Sequence, residues 1–510
     1  YVQEIKMQLI QEELHDVETP QTKEKLERLE SLDKVKLAAS VMEKVRPQKM
    51  ERIVGQERAV EAMCSKVASV YPQHILLYGP PGVGKTTAAR IILEEAKKLP
   101  YTPFSVDAPF VETDGTTLRW DARDMTNPLI GSVHDPIYQG ARRDLADTGI
   151  PEPKPGLVTD AHGGILFIDE IGEMDPLLLN KLLKVLEDKR VKFDSAYYDA
   201  SDPAVPAYIR KLFAEGAPAD FILIGATTRS PQEINPAIRS RCAEVYFEPL
   251  NGTDIQAIVR NAAHDLSVSL EDGVAEYISE FTVEGRKAIN LLADMYGYAV
   301  YKQGSGENTV ITLEDAKHVV RIGHFIPYAA EKASSLPVAG KVFGLGVSGY
   351  LGSVIEIEAV AFPAREAGKG YFRFNDTAGS MAKDSLFNAA AVVRAVTGKE
   401  ISDFDINVNF VGGGQIDGPS AGTAVTVALI SALTGKKVRQ DAAVTGEISV
   451  SGQVRAVGGI FEKAYGASRA GMKDMIIPAE NKDEITKHHL NLNIHAVTTI
   501  QEVMSLLFVE

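Results

Sequence analysis

The stretch GPPGVGKTT, residues 79–87, stands between the apolar run HILLY, residues 74–78, and TAARIILEEAKK, residues 87–98, where apolar side chains recur at helical spacing. It fits the pattern G-x-x-x-x-G-K-[ST], which forms a phosphate-binding loop when a strand precedes it and a helix follows it. The glycines let successive N–H groups curl around phosphates, Lys85 reaches the β and γ phosphates, and Thr86 holds Mg²⁺ at the helix N-terminus. A nucleotide site is therefore predicted at Gly79, Pro80, Pro81, Gly82, Val83, Gly84, Lys85, Thr86 and Thr87.

A second motif, GGILFIDEIGEMD at residues 163–175, places Asp169 and Glu170 directly after an apolar run. Two adjacent carboxylates are costly to bury without partners, so we expect them to face a cation or solvent. Beside a phosphate loop, Asp169 suits the coordination shell of Mg²⁺, and Glu170 suits a base that orients water. The pair predicts a magnesium-dependent nucleotide hydrolase.

The pattern around these motifs predicts an α/β fold. Short apolar runs alternate with helical patterns up to EVYFEPL, residues 244–250, as expected for a parallel sheet covered by helices on both faces. The chain then becomes helical, and after a linker it changes to glycine-rich strands and small-residue helices, where residues 447–459 suggest a hairpin turning on Ser451 and Gly452. The predicted divisions are a helical segment at 1–50, a nucleotide-binding domain at 51–250, a helical lid at 251–325, a linker at 326–340 and a third domain at 341–510.

Composition narrows the functional classes. The apolar and charged fractions, 45% and 24%, are those of a globular protein, so disorder is not expected. The net charge of −15 disfavours nucleic acid as a partner. The two distant cysteines suit a reducing compartment, and the sequence contains no apolar run long enough to span a bilayer, so a cytoplasmic location is expected. Because the chain begins with Tyr1, a membrane anchor upstream is left open as an alternative.

Ser420 is the candidate nucleophile of the third domain. It lies in GGGQIDGPSAGTA, residues 412–424, where glycine and alanine let another chain approach the backbone. A serine nucleophile needs a base, and the histidines beyond residue 341 are His488, His489 and His495, all in a polar stretch. Lys463, among apolar neighbours, is the alternative, provided that burial keeps it neutral. Taken singly, Ser420 also fits a helix cap and Lys463 an ordinary helix lysine.

The nucleotide motifs resemble those of the AAA+ ATPases, which implies ATP as the nucleotide. The family places a polar sensor at the end of the next strand, which matches Thr228 in IGATTR. It also has arginines that match Arg239 and Arg241 in NPAIRSR, and one in the helical lid that matches Arg286. One of the first two is expected to act on a neighbouring subunit's nucleotide, and Arg241 is preferred.

The same resemblance implies further contacts. RPQKMERIVGQ, residues 46–56, is similar to the segment that lines the adenine pocket, with Ile53 and Val54 as its apolar wall. An arginine that acts in trans implies a closed ring, which in this family is a homohexamer. Tyr138 is the candidate for gripping substrate in the pore, with Tyr197 and Tyr198 as weaker candidates, although a packed tyrosine is the commoner situation.

The third domain resembles the proteolytic domain of the Lon proteases, through DGPSAG at 417–422 and the run from 445 to 481 that begins TGEISVSGQVRAVGG. The resemblance implies an α+β fold with a Ser–Lys dyad at Ser420 and Lys463. It assigns Thr445 to supporting the lysine and Asp417 to switching the site between inactive and active forms. The stretch LIGSVHDP, residues 129–136, is closer to the B-type enzymes, although the transmembrane insertion of the archaeal ones is missing.

These resemblances imply an ATP-dependent serine endopeptidase that unfolds, translocates and degrades unfolded or damaged proteins. The alternative is a remodelling AAA+ ATPase with an inactive Lon-like domain. Such a protein would be expected to lack the serine or the lysine, and both are present.

Overall fold

The structure is a computed structural model that describes residues 20–34, 40–118, 128–134, 150–195, 197–203, 205–304, 306, 308–327, 332–348, 351–375, 380–411, 418–484 and 492–509. The chain divides into two compact units, residues 1–46 and 47–510. The first unit contains helices α1 (Pro20–Asp33) and α2 (Val41–Lys44). On α1, residues 24–32 are all exposed, including three leucines.

A five-stranded sheet forms the nucleotide-binding part of the second unit. Its strands are β1 (Ile75–Tyr78), β2 (Phe110–Asp114), β5 (Ile165–Asp169), β8 (Ile222–Thr227) and β9 (Ala243–Tyr246). They pair in the order β2-β5-β8-β1-β9, and every pair is parallel. All four residues of β1 are fully buried, because helices pack on both faces of a parallel sheet. The predicted α/β fold is confirmed.

The same part of the chain contains six helices and two short antiparallel strand pairs within its described residues. The helices are α3 (Glu57–Val67), α4 (Lys85–Lys97), α5 (Leu157–Asp160), α6 (Pro176–Asp188), α7 (Ala207–Glu215) and α8 (Pro236–Arg239). The antiparallel pairs are β3 (Gly131–His134) with β4 (Glu152–Pro155), and β6 (Arg190–Val191) with β7 (Ala217–Pro218).

Four helices follow the sheet: α9 (Gly252–Leu266), α10 (Val274–Ser279), α11 (Gly285–Gln303) and α12 (Leu313–Ile322), with the short strands β10 (Ser269–Leu270) and β11 (Val310–Ile311). Local sequence decides where α9 begins. The Asn251 side chain accepts from the Asp254 N–H at 2.8 Å, and the Asp254 carboxylate accepts from the Asn251 N–H at 2.9 Å. This reciprocal cap satisfies two backbone donors that a helix N-terminus otherwise leaves unpaired.

A seven-stranded mixed sheet organises the C-terminal part. Its strands are β13 (Lys341–Ser348), β14 (Leu351–Pro363), β15 (Phe372–Phe374), β16 (Phe404–Val411), β18 (Ala442–Val444), β21 (Asp474–Pro478) and β22 (Asn493–Val497). They pair in the order β15-β16-β14-β13-β18-β21-β22. The remaining strands are β12 (Ser334–Ala339), β17 (Lys437–Gln440), β19 (Glu447–Ile448) and β20 (Val454–Arg455). The helices are α13 (Ser380–Thr397), α14 (Gly422–Thr434), α15 (Ile460–Arg469) and α16 (Ile500–Leu507).

Two local features can be compared with the hairpin and the linker that the sequence predicts. The predicted hairpin is confirmed, because β19 and β20 pair in antiparallel fashion and Gly452 turns between them at φ 80°. The stretch expected to be a linker contains β12, which pairs with β17. Its apolar residues alternate as in a strand, and that pairing needs a partner about a hundred residues later in the chain, which local patterns do not reveal.

Side chains of the mixed sheet alternate between two cores. Val342 joins the cluster formed with α13, α14 and α16, whereas Phe343 and Leu345 join the cluster formed with α15. The helix α14 that follows Ser420 and the helix α15 that carries Lys463 therefore pack on opposite faces of one sheet.

Candidate active sites

The phosphate loop holds a buried lysine. Helix α4 begins at Lys85, which is only 7% exposed, and its Nζ donates to the carbonyl oxygens of Gly79 at 2.7 Å and Pro80 at 2.8 Å. Burial lowers the pKa of this lysine to about 8, against the opposing effect of Glu170 and Asp169. A desolvated cation inside a loop of backbone N–H groups is suited to phosphate oxygens.

The acidic pair lies at the edge of the sheet where the phosphate loop also lies. Asp169 ends β5, and Glu170 follows in the left-handed region at φ 46°. The Glu170 carboxylate accepts from the N–H and the hydroxyl of Thr228, at 3.2 and 3.1 Å. Strands β5 and β8 are parallel neighbours, so their carboxyl ends meet here. The structure thus brings together the predicted base and the predicted sensor.

The helices after the sheet and the residues just before α3 supply the remaining residues around the loop. The Gly285 N–H donates to the Gly82 carbonyl at 3.1 Å, which places Arg286 against the phosphate loop of its own chain. The positive charge of Arg286 helps to lower the pKa of Lys85. Ile53 is buried, with its Cγ2 3.6 Å from the position that a β-carbon on Gly84 would take, and Val54 is half-buried.

Arg239 and Arg241 are held by different partners. Arg239 donates to Glu244 at 2.9 Å, and the same carboxylate accepts from the Tyr246 hydroxyl at 2.6 Å. Arg241 donates to the Glu187 carboxylate through Nε at 3.1 Å and through Nη2, and its Nη1 donates to the Ala237 carbonyl oxygen at 2.8 Å. Exposed ion pairs contribute about 0–1 kcal/mol, and the side chain of Arg241 is 39% exposed. Neither arginine bonds to Lys85 or to the acidic pair among the described residues.

Ser420 lies in a single turn of 3₁₀ helix, Pro419–Ala421, directly before α14. Its carbonyl oxygen accepts from the Gly446 N–H at 3.1 Å and from the Thr445 hydroxyl at 3.4 Å. Both donors follow the end of β18, so the turn is attached to the centre of the mixed sheet. The structure thus brings Thr445 to Ser420, and among the described residues it has no hydrogen bond between Thr445 and Lys463.

Lys463 is buried, with 3% of its surface exposed, in the first turn of α15. Burial lowers its pKa to about 8, although the carboxylates of Glu462 and Glu484 act in the opposite direction. The helix can come close to β14 because Gly352 has no side chain, since a β-carbon there would lie 1.7 Å from the Glu462 carbonyl oxygen. A lysine with this pKa is partly neutral near pH 8 and can act as a general base.

The remaining candidate residues from the sequence lie in different environments. Of the three histidines, His495 is held by Asp474 at 2.8 Å, which favours a structural role. His488, His489, Asp417 and the pore candidate Tyr138 lie outside the described residues. Tyr198 stacks on Phe213 with ring centres 3.9 Å apart, whereas Tyr197 is exposed.

Sequence reasoning missed Thr423. Its hydroxyl donates to the Gly446 carbonyl at 2.8 Å, next to the bond that holds Ser420. A polar residue three positions after the serine, near the start of a helix of mostly small and apolar residues, was the available signal.

Comparison with known proteins identifies both parts of the chain. Residues 75–250 match the ATPase family associated with various cellular activities, and residues 314–510 match the Lon protease (S16) C-terminal proteolytic domain. Lon protease 2 of Bacillus subtilis is 43% identical over 497 residues, which cover 95% of this chain and 89% of that protein. The archaeal Lon protease of Archaeoglobus fulgidus is 28% identical over 444 residues, 78% of this chain and 68% of that protein.

Two further findings bear on the class of protein to which the chain belongs. No helix in the described part of the chain combines the length and the apolar character of a membrane span. The alternative of a remodelling ATPase with an inactive proteolytic domain is not favoured, because the relatives that match both domains are proteases. An ATPase domain and a Lon proteolytic domain are matched in one chain, and the chain belongs to the Lon family of ATP-dependent serine proteases.

Proposed function

We propose that Ser420 is the nucleophile of this protease and that Lys463 is its general base. The observation that carries this assignment is the burial of Lys463, which lowers its pKa to about 8, so that about half of the amine is neutral at pH 8. The amine takes the proton from the Ser420 hydroxyl as its oxygen attacks a peptide carbonyl carbon. The resulting ammonium then donates that proton to the leaving amine, and water hydrolyses the acyl-enzyme with Lys463 again as base.

The turn around Ser420 supplies candidate donors for the oxyanion. Pro419 has no N–H, the Gly422 N–H donates to the Pro419 carbonyl, and the Thr423 N–H donates to Gly446. The N–H groups of Ser420 and Ala421 lie in this turn, directly before α14. We propose them as the donors that hold the negative oxygen of the tetrahedral intermediate.

In the ATPase domain, we propose that Lys85 binds the phosphates and that Glu170 orients the attacking water. The hydroxyl of Thr86 and the carboxylate of Asp169 are oxygen ligands of the kind that Mg²⁺ takes together with substrate phosphates, and they would hold it. Bound Mg²⁺ would neutralise charge on the phosphates. The Thr228 hydroxyl donates to the Glu170 carboxylate and would orient it toward the water.

At the level of the assembly, we propose a homohexameric ring that translocates unfolded or damaged proteins. Arg286 would act on the nucleotide of its own subunit, because it lies against the phosphate loop of its own chain. Arg241, whose side chain is 39% exposed, would act on the nucleotide of the neighbouring subunit. Tyr138 remains the pore candidate.

We propose a cytoplasmic location without nucleic acid as a partner. Cys64 and Cys242 are free, and burial raises the pKa of Cys242 to about 12, so neither thiol calls for an oxidising compartment. The net charge of −15 disfavours nucleic acid.

The test of the proposed function is degradation of an unfolded protein with and without Mg-ATP, alongside Ser420→Ala and Lys463→Ala. We expect cleavage that requires ATP and disappears in both variants, while their ATP hydrolysis is retained. Residual cleavage in Ser420→Ala would remove that residue from its role. Cleavage that is indifferent to ATP would mean that the two domains are not coupled.

A further inference from the structure

Thr423 binds the strand end that holds the Ser420 turn. Thr423 is the second residue of α14, and its side chain is completely buried. Two donors of this residue reach one acceptor, because the N–H of Thr423 donates to the Gly446 carbonyl at 3.1 Å and its hydroxyl donates to the same oxygen at 2.8 Å. Without the hydroxyl, that buried oxygen keeps a single donor.

Gly446 in turn holds the catalytic turn. The N–H of Gly446 donates to the Ser420 carbonyl at 3.1 Å, so this one residue is bonded at its N–H to Ser420 and at its carbonyl to Thr423. The three residues form a closed set of contacts between the start of α14 and the end of β18. A shift of the Gly446 carbonyl would therefore move the bond that locates Ser420.

We propose that Thr423 is a positioning residue for the nucleophile, whose hydroxyl fixes Gly446 and through it the backbone of Ser420. The inference rests on the proposed role of Ser420. A nucleophile must lie within a few tenths of an ångström of its reacting geometry, so loosening of its turn slows the chemical step more than it weakens substrate binding.

The same helix contains a matched control. Thr426 is also completely buried, and its hydroxyl donates to the Gly422 carbonyl at 2.8 Å, one turn back in its own helix. That bond connects no second element. Thr426→Val removes a buried hydroxyl of the same kind without touching Gly446, and Val replaces Thr with nearly the same shape.

The expected effect follows from the loss of one neutral hydrogen bond beside a retained one. We expect Thr423→Val to lower kcat for cleavage of a fluorogenic peptide about threefold to tenfold, with KM unchanged. That range corresponds to about 0.7–1.4 kcal/mol of activation free energy. Thr423→Ser keeps the hydroxyl and loses only the methyl group, so its kcat should stay within about twofold of the parent protein.

The experiment measures kcat and KM for the peptide, ATP hydrolysis and thermal stability in the full chain and in Thr423→Val, Thr423→Ser and Thr426→Val. The proposal predicts a kcat loss in Thr423→Val alone, with ATP hydrolysis unchanged in all three. Equal kcat in Thr423→Val and Thr426→Val would overturn it. If Thr423→Val does not fold, Thr423→Ala takes its place, and kcat must then be low in Thr423→Ala and near normal in Thr423→Ser. Equal losses in those two would also overturn the proposal.

Ser420→Ala separates this inference from the proposed function. If that variant still cleaves the peptide, the assignment of the nucleophile fails. If it is inactive while Thr423→Val matches the parent protein, only the role of Thr423 fails.

Discussion

The pH dependence of peptide cleavage tests the proposed base most directly. Burial lowers the pKa of Lys463 to about 8, whereas an exposed lysine titrates near 10.4. Only the neutral amine can accept the proton of Ser420. With a pKa of about 8, the neutral fraction is about 9% at pH 7, about 50% at pH 8 and about 91% at pH 9. The rate of cleavage should therefore rise about tenfold from pH 7 to pH 9 and level off above that.

Removing a carboxylate near Lys463 tests the same prediction through a shift of the pH profile. The Glu484 carboxylate raises the pKa of Lys463, so Glu484→Gln should lower it, move the profile to lower pH and raise cleavage at pH 7. Glu480 is the matched control, because it lies on the same 3₁₀ helix, pairs with Arg455 at 2.9 Å and does not contribute to the shift at Lys463. Glu480→Gln should leave the profile where it is.

The assay is kcat/KM for a short fluorogenic peptide from pH 6 to pH 10, with ATP hydrolysis followed in parallel. The parallel measurement is needed because burial also lowers the pKa of Lys85 to about 8. A flat profile between pH 7 and pH 9 would refute Lys463 as a base with a depressed pKa. A shift to higher pH in Glu484→Gln, or an equal shift in Glu480→Gln, would refute the electrostatic reasoning.

Four further outcomes are expected. Glu170→Gln should retain ATP binding and lose at least about 100-fold of its hydrolysis, measured by steady-state turnover, and undiminished turnover would exclude it as the base. Thr228→Val, which removes one bond to that carboxylate, should cause a smaller loss in the same assay, and a loss as large as that of Glu170→Gln would contradict an orienting role. Arg241→Ala should lower hydrolysis about tenfold or more with normal nucleotide affinity, whereas Arg239→Ala should chiefly lower the melting temperature, and the reverse result would exchange the two roles. Lys463→Met should abolish cleavage yet raise the free energy of unfolding near pH 7 by on the order of 1–3 kcal/mol. This gain in stability should fade between pH about 8 and about 10.5, where the lysine of the parent protein loses its proton. Equilibrium unfolding of both proteins at pH 7 and pH 10 measures the gain, and equal stability at pH 7 would contradict the prediction.

The nucleotide site could be predicted from the sequence because its parts lie close together along the chain. Strand, glycine-rich loop and helix follow one another within residues 74–98, so the spacing along the chain is also the spacing in space. The acidic pair was equally local, since Asp169 and Glu170 directly follow the apolar residues of their own strand. The partners of these groups are not local in the sequence. Thr228 reaches Glu170 only because β5 and β8 are neighbours in the sheet, and Gly285 reaches the loop only because the lid folds back on it.

The sequence by itself determined the α/β class, the nucleotide loop and Ser420 as the candidate nucleophile, because short-range patterns of glycine, apolar and acidic residues encode them. Only the tertiary structure decided the state of Lys463, since a lysine on a helix becomes a base only when distant strands bury it. It also decided that residues 334–339 form a strand and that Thr423 bonds to Gly446. These features depend on pairs of residues that lie far apart along the chain, and solvation and hydrogen bonding act through space.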